Sequence, residues 1–407
     1  MTSAETVSAS AAPRSGSAWR ARLRGIALSG AIFLVSCIVA LFLGELCVRL
    51  VAPQQIILKR ADIWRPAETI GYTHFPNVRT TVNTGEREVP YQTDEEGFRV
   101  GAGGRVEGDK KILLLGDSFM EALQVPYEQS MAGFLEAKLP AAVGKTVAVR
   151  NTGVGGYGPS HYLIQARRSL AKDHFDLAVV AVYLGNDIEP ARRASYPART
   201  ATTVHHFRFP TRLSAPEFID AVLFPINDVL EVRSHLFILS KNATTTLRIR
   251  LGLAYQEFPS EVLKREATAP RWNVTAGVLR DIAAVADSSG TPTIFVLVPA
   301  VYQVEPKQFH QFAAGFNIKP EDFDLDQSNR IMFQELHAQG LTVIDATPSL
   351  RQAAKESNVP LYGDVDSHFS PRGHEVATNA ILPTVVDRLT RTNPASLQVK
   401  KGGESKR

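Results

Sequence analysis

The chain has 407 residues, of which 44% are hydrophobic and 21% charged, and this is enough to bury one large core or two modest ones. Its net charge of +4 comes from the tails: residues 1–24 hold four Arg and one Glu, and residues 391–407 hold five Lys or Arg and one Glu. The region between the tails is therefore slightly acidic, which excludes a basic nucleic-acid-binding face. Two cysteines, Cys37 and Cys47, exclude a disulfide framework and a Cys-based metal site.

The first structured element that the sequence predicts is a membrane helix. Residues 25–44 carry no charge, the apolar character continues to residue 51, and about 20 helical residues span a bilayer core of roughly 30 Å. Arginines directly before this run predict a single-pass helix over residues 25–51 of the inner membrane, with the N-terminus inside and the rest periplasmic or extracellular. A cleaved signal peptide is the alternative. Residues 1–24, rich in Ser and Ala, are predicted to be disordered.

Beyond the membrane helix the sequence predicts three regions. Residues 52–107, with short β-type runs at 80–83 and 88–93, form a stalk and a β-rich lead-in. Residues 108–390 alternate strand and helix patterns, which predicts an α/β domain with a parallel sheet. An insertion over about 188–272 is either a lid or acceptor-binding subdomain, or a helical hairpin packed on the core. Residues 391–407 are a disordered basic tail.

The stretch KILLLGDSFM at residues 111–120 carries the first candidate for chemistry. A short apolar strand stops at Gly116-Asp117-Ser118, and helical spacing of apolar residues follows to residue 139. A glycine after a buried strand allows a tight turn, so Ser118 is expected at the carboxyl edge of the sheet, where open α/β sheets bind ligands. Alone, this serine is equally well explained as a helix N-cap. Asp117 is expected to bond the turn backbone.

Three more polar segments follow predicted strands or precede the last helix. Residues 151–158, NTGVGGYG, form a loop with four glycines but lack the phosphate-loop patterns, so a turn that exposes a backbone N–H fits better than nucleotide binding. Gly185-Asn186-Asp187 ends the third strand, where the asparagine can also be a simple cap. Residues 364–374, DVDSHFSPRGH, place Asp366 two residues before His368 and Asp364 four before it.

Taken together, the order Ser, Gly, Asn, Asp/His resembles the SGNH (GDSL-type) hydrolase family over about residues 108–390, with the long insertion as a departure. The resemblance implies a flavodoxin-like three-layer α/β/α sandwich. It also implies a nucleophile at Ser118 and an oxyanion hole made of the backbone N–H groups of Ser118 and Gly156 and the amide of Asn186. Gly156 is chosen over Gly153 and Gly155 because it lies five residues after Asn151. Much of the family has Asp three residues before the histidine, where this chain has Val365; Asp-x-His is the spacing of the alginate-acetylation branch.

The residue types specify the roles. A serine hydroxyl needs a base within hydrogen-bond reach, and histidine suits this near neutral pH, so His368 is the predicted base. Asp366 is the predicted acid that orients it, with Asp364 in reserve. His374 is predicted to be a structural residue at the start of the last helix. The sequence predicts no cofactor and no metal site; His205-His206 is at most an adventitious one.

The leading hypothesis is a membrane-anchored, extracytoplasmic serine esterase that acts on O-acyl esters of a glycan or lipid through an acyl-serine intermediate. The same constellation would also serve an O-acetyltransferase for a secreted or cell-wall polysaccharide, with a multi-spanning membrane protein as acyl donor. A catalytically inactive glycan-binding or assembly module is the alternative of another class. A flavodoxin-like cofactor binder is disfavoured because GDSFMEA has too few glycines for a phosphate loop.

Overall fold

The computed structural model describes residues 16–52, 54, 63–84, 87–188, 229–230, 233–250, 263, 265, 270–305, 309–310, 313, 319–363 and 367–391. Residues 1–15 of the predicted N-terminal tail, residues 392–407 of the C-terminal tail and most of the 188–272 insertion, including His205-His206, lie outside these residues. Asp364, Val365 and Asp366 also lie outside them.

The first described element is a long helix, α1 (Gly16–Val51), and its segment Arg22–Val51 is long and apolar enough to cross a membrane. Residues 16–24, which the sequence predicted to be disordered, are helical, because they continue the apolar helix at its N-terminal end. A second helix, α5 (His235–Arg250), packs against its end. Glu45 of α1 makes this contact: its carboxylate accepts from the backbone N–H groups of His235 (3.0 Å) and Leu236 (2.9 Å). A carboxylate at a helix N-terminus satisfies donors that have no partner within the helix, so α1 caps α5.

The lead-in after α1 contains two small antiparallel sheets. One pairs β1 (Trp64–Ala67) with β2 (Gly71–His74). The other pairs β3 (Arg79–Asn83) with β4 (Glu88–Thr93), and β4 with β5 (Arg99–Val100). Tyr72 and Tyr91 are buried on these strands, so the lead-in packs its apolar side chains inward instead of exposing them.

The main sheet has five parallel strands in the order β10-β9-β8-β6-β7. Its strands are β6 (Lys110–Leu115), β7 (Val147–Asn151), β8 (Leu177–Tyr183), β9 (Thr293–Val298) and β10 (Thr342–Asp345). Counted within the sheet, this is the flavodoxin-like order 2-1-3-4-5. Ile112 of β6 is paired with Val149 of β7 on one side and Leu177 of β8 on the other, so β6 is central. The strand order reverses beside it, and ligands of such sheets bind at that switch point.

Helices cover both faces of this sheet, which makes a three-layer α/β/α sandwich and confirms the predicted fold class. Ile112 and Leu114 face one core and Leu113 and Leu115 the other, and all four are fully buried. Burying one such side chain stabilises the fold by about 1.5–3 kcal/mol. The helices of the domain are α2 (Ser118–Glu121), α3 (Met131–Val143), α4 (Pro159–Lys172), α6 (Pro270–Ser288), α7 (Val301–Val304), α8 (Gln327–Ala338), α9 (Thr347–Glu356) and α10 (Pro371–Thr390), with 3₁₀ turns at Tyr127–Gln129 and Pro320–Asp322.

The helical pattern predicted after Ser118 is interrupted in the structure. Helix α2 is only four residues long and ends at Ala122, which adopts the left-handed conformation (φ 53°). Pro126 then precedes a 3₁₀ turn, and the regular helix α3 starts only at Met131. Apolar residues at helical spacing on both sides of the break hide it in the sequence, because they fill the same core.

Candidate active site

Ser118 lies at the carboxyl end of the central strand β6, as the first residue of α2. Gly116 makes this turn possible, because a Cβ there would lie 2.3 Å from the side chain of Met120. The Asp117 carboxylate accepts a hydrogen bond from the backbone N–H of Phe119 (2.9 Å), as expected from the sequence. The strand, the glycine and the cap together present the Ser118 hydroxyl at the edge of the sheet.

His368, 250 residues further along the chain, reaches this hydroxyl: its Nε2 lies 2.7 Å from Ser118 Oγ. The ring rests on Phe119, with 4.7 Å between the centroids. Phe119 in turn contacts Tyr183 (4.3 Å) and Phe369 (4.9 Å). A hydroxyl and an imidazole at this distance form the pair in which the histidine can take the serine proton.

The two candidate acids, Asp366 and Asp364, lie outside the described residues. On either side of that gap the chain is anchored. The backbone N–H of Gly363 donates to the carbonyl of His368 (2.9 Å), and Tyr362 forms an isolated antiparallel bridge with Phe369. These contacts fix the backbone of His368 directly beside the bridge between Tyr362 and Phe369. An acid for the second ring nitrogen stays a prediction from the sequence.

The glycine loop after β7 packs against α2. Asn151 donates from Nδ2 to the carbonyl of Met120 (2.7 Å) and accepts at Oδ1 from Gly153 N–H (3.0 Å), while Gly155 N–H donates to the Glu121 carboxylate (2.7 Å). Gly156 adopts a left-handed φ of 78°, which favours glycine.

Two backbone donors in this area remain available. Within the described part of the chain, neither Ser118 N–H nor Gly156 N–H has a hydrogen-bond partner, whereas Gly153 N–H and Gly155 N–H are both engaged. A Cβ on Gly155 would lie 3.7 Å from Ser118 Cβ, so this loop runs directly beside the serine. Among the three glycines that the sequence offered, Gly156 is thus the one whose amide can serve a ligand.

Asn186 is exposed in the turn that follows β8, the strand beside β6. The next residue, Asp187, is buried and closes this turn. Its carboxylate accepts from the backbone N–H of Tyr183 (2.8 Å) and from the hydroxyl of Tyr162 (3.0 Å). The strand end and the buried carboxylate therefore place Asn186 on the same edge of the sheet as Ser118.

Two buried carboxyl groups lie beneath the site. Burial raises the pKa of Asp117 to about 6, although the bond from Phe119 N–H acts in the opposite direction. Burial also raises the pKa of Asp187, and the nearby charge of Asp117 raises it further. Burial therefore makes both groups resist ionisation, so the base of the site carries less negative charge than two free carboxylates would.

The second histidine of the motif, His374, is buried near the start of α10. Burial, with smaller contributions from the charges of Arg99 and His368, lowers its pKa to about 3. Its ring packs edge-on against Phe369, with 5.5 Å between the centroids. His374 is therefore a neutral core residue at neutral pH, and His368 is the histidine that contacts Ser118.

Sequence reasoning missed Glu121, whose carboxylate binds the glycine loop from inside α2. The available signal was an acidic residue flanked by Phe119, Met120 and Ala122, all of which are buried. A carboxylate at a buried position requires donors around it, and this requirement points to a polar network. Two partners of Glu121, His74 and Trp64, lie in the lead-in, which no local pattern connects to Ser118. Among the described residues, no group of three or more His, Cys, Asp or Glu could hold a metal ion.

No protein-family model matches the chain, and a search of curated proteins finds no match either. Among solved structures, a catalytic mutant of the acetylxylan esterase Axe2 from Geobacillus stearothermophilus is similar at 11% identity and a TM-score of 0.38, covering 71% of this chain and 100% of that one. The others include TesA (12%, TM-score 0.34, 69% and 99%) and LAE5, an α/β-hydrolase enzyme from the metagenome of Lake Arreo, Spain (10%, TM-score 0.38, 70% and 99%).

Proposed function

We propose that this protein is a membrane-anchored serine esterase of SGNH type that cleaves O-acyl esters of a glycan or lipid outside the cytoplasm. The observation that carries the proposal is the 2.7 Å contact between Ser118 Oγ and His368 Nε2 at the carboxyl edge of the parallel sheet. The free N–H groups beside it and the candidate membrane helix α1 support the same reading.

In the first half of the reaction, Ser118 Oγ attacks the ester carbonyl carbon while His368 takes the hydroxyl proton. The carbonyl oxygen becomes an oxyanion, which the backbone N–H groups of Ser118 and Gly156 and the amide of Asn186 would stabilise. Each such donor is worth about 3 kcal/mol in the transition state. The intermediate then expels the alcohol, which takes the proton from His368, and an acyl-Ser118 ester remains.

In the second half, an acceptor hydroxyl attacks the acyl-serine and His368 takes the acceptor's proton, then returns a proton to Ser118. Water as acceptor gives a carboxylic acid, so the protein is an esterase. A sugar hydroxyl gives a new ester, so the same residues would act as an O-acetyltransferase. The reaction uses the same nucleophile, base and oxyanion donors in both cases.

The test uses the full chain in detergent with p-nitrophenyl acetate, in wild-type, Ser118→Ala and Ser288→Ala forms. Ser288 is an exposed serine at the end of α6, so its loss is a matched control. We expect turnover in the wild type and in Ser288→Ala, and none above background in Ser118→Ala. An oligosaccharide acceptor that takes up the acetyl group would assign the protein as a transferase. Equal turnover in all three forms would reject Ser118 as the nucleophile, and no turnover in any of them would reject the proposal in favour of a binding module.

A further inference from the structure

We infer that Glu121 is a positioning residue, which fixes the oxyanion-binding amide of Gly156 through hydrogen bonds that connect the glycine loop to the lead-in strands. This inference rests on the proposed function. It makes the lead-in part of the active site, although β1 and β2 precede Ser118 by more than 40 residues.

The carboxylate of Glu121 is buried and faces three donors. Oε2 accepts from Gly155 N–H at 2.7 Å. Oε1 contacts His74 Nε2 at 2.7 Å and accepts from the indole N–H of Trp64 at 3.1 Å. Charge-assisted hydrogen bonds of this length are about twice as strong as neutral ones, so Glu121 connects three separate segments of the chain.

His74 fits this carboxylate chemically. Its Nδ1 lies 3.1 Å from the carbonyl oxygen of Gly97, while its Nε2 faces Glu121. Both ring nitrogens thus face acceptor oxygens, which suits an imidazolium that donates from both. A buried carboxylate and a buried imidazolium would then compensate each other, so the pair depends on both partners remaining in place.

A second connection reaches the same loop from β2. The Tyr72 hydroxyl donates to the carbonyl of Gly155, and the Tyr157 hydroxyl donates back to the carbonyl of Tyr72. The two rings meet edge-on, with 5.4 Å between their centroids. Gly155 is therefore held at both its N–H and its C=O by side chains, which leaves Gly156 little freedom to turn.

The C-terminal end of α2, which carries Glu121, is held by a fourth residue of the lead-in. The buried guanidinium of Arg99 donates to the carbonyls of Glu121, Ala122 and Val125. These are the carbonyls of a helix C-terminus and of the turn after it, which need donors from outside the helix. Glu121 thus sits on a helix that is itself fixed, so its carboxylate is a rigid support for the loop.

These contacts have a catalytic consequence. An oxyanion donor is effective only where its N–H already points at the developing charge, and a displacement of about 1 Å is costly. Complete loss of one such donor lowers kcat by roughly 10²–10³-fold. Removing the support of Gly155 would displace the neighbouring amide without deleting it, so the expected loss is about 10–100-fold in kcat with little change in KM.

The test compares Glu121→Gln with Glu136→Gln in the full chain, with two readouts: kcat and KM for p-nitrophenyl acetate, and hydrogen exchange of the peptide that covers residues 151–158. Glu136 is a matched control, since its carboxylate accepts from Val149 N–H (2.9 Å) and belongs to a different network. We expect Glu121→Gln to lower kcat as stated and to speed exchange in the loop about tenfold or more, and Glu136→Gln to change neither. Wild-type kcat in Glu121→Gln, whatever the exchange shows, would overturn the inference.

A second variant keeps the test decisive if Glu121→Gln does not fold. Tyr72→Phe keeps the ring and removes only the hydroxyl that donates to Gly155, so we expect a loss of a few fold in kcat and faster exchange of the same peptide. A folded Tyr72→Phe protein with wild-type values in both readouts would contradict the inference. If the wild type itself shows no Ser118-dependent turnover, the proposed function fails, while the exchange readout still tests whether these contacts hold the loop.

Discussion

The two halves of the candidate site are built differently. Ser118 and the glycine loop are held by buried hydrogen bonds from Asn151, Glu121 and Arg99, which lie on different segments of the chain. His368 lies on the ring of Phe119, beside the bridge between Tyr362 and Phe369. Hydrogen bonds fix direction, whereas aromatic packing fixes distance more than direction. The serine half is therefore shaped in advance by hydrogen bonds between segments, whereas the described contacts of the imidazole are the Ser118 hydroxyl and an aromatic ring.

The histidine loop gains its position from the start of α10. A Cβ on Gly373 would lie 2.1 Å from the carbonyl oxygen of Leu361, so only glycine permits this close approach. Ser370 caps the helix by accepting from Gly373 N–H (3.2 Å) and also donates to the carbonyl of Pro360 (2.6 Å). The helix start thereby fixes both ends of the segment that carries His368.

The largest expected effect concerns the acid that the sequence predicts beside His368. Asp366→Asn should lower kcat by roughly 10³–10⁴-fold, because an amide would hold the imidazole in the wrong tautomer. Asp364→Asn should keep kcat within about threefold of the wild type, because Asp366 and not Asp364 is predicted to orient the imidazole. Steady-state kinetics of both variants with p-nitrophenyl acetate decide between the two acids. A large loss in Asp364→Asn alone would transfer the role to Asp364.

The next effect tests the serine half. Asn186→Ala removes the one side-chain donor of the proposed oxyanion hole, so kcat should fall about 100-fold with KM nearly unchanged. Asn379→Ala is the control, since Asn379 is exposed on α10 and its amide oxygen accepts a hydrogen bond from Lys138 of α3. A rise in KM at constant kcat in Asn186→Ala would instead make Asn186 a substrate-binding residue.

A smaller effect concerns His374 and the dependence of the protein's stability on pH. Because the pKa of buried His374 is lowered to about 3, the unfolded chain binds a proton below pH 6.5 that the folded chain does not. Stability therefore falls as the pH is lowered from about 6.5 toward 3. Between pH 7.5 and 5.0 this costs roughly 2 kcal/mol at one pKa unit per 1.36 kcal/mol. His374→Leu should lose about that much less than the wild type over this range in thermal unfolding. An identical loss in both proteins would contradict the assignment.

The smallest effect concerns the ring beneath His368. Phe119→Leu keeps an apolar side chain but removes the aromatic face, so we expect kcat to fall about tenfold as the imidazole loses its fixed position. Phe175→Leu is the matched control, because Phe175 is equally buried and lies in the core on the other face of the sheet. The two variants should lose similar stability in thermal unfolding, and only Phe119→Leu should lose activity. Equal kcat values would mean that Phe119 packs on His368 without orienting it.

The sequence predicts the sheet well. Its short apolar runs place strands at residues 111–115, 146–150, 177–183, 293–298 and 341–344, and each strand of the structure begins and ends within one residue of these bounds. Short apolar runs that stop at a glycine, a proline, an asparagine or an aspartate carry enough local information for this. The break after α2 was not predictable, because Ala122 takes a left-handed conformation that alanine rarely adopts. Nor was the contact of Glu121 with His74 and Trp64, which depends on antiparallel strands whose docking on the domain has no sequence signature. Sequence motifs therefore predict the candidate catalytic residues, whereas contacts between segments that are distant in the chain cannot be predicted from them.

The most direct test of the central claim is to detect the acyl group on Ser118. The full chain would be mixed with p-nitrophenyl acetate and quenched in acid after seconds, and the peptide containing Ser118 would be analysed by mass spectrometry. We expect a transient acetyl group on Ser118 in the wild type and none at this position in Ser118→Ala. In a His368→Ala variant the acetyl group would accumulate only if acylation, although slowed, remains faster than deacylation. Turnover in the wild type with the acetyl group on another residue would contradict this mechanism. So would a burst phase during which no acetyl group is found on Ser118.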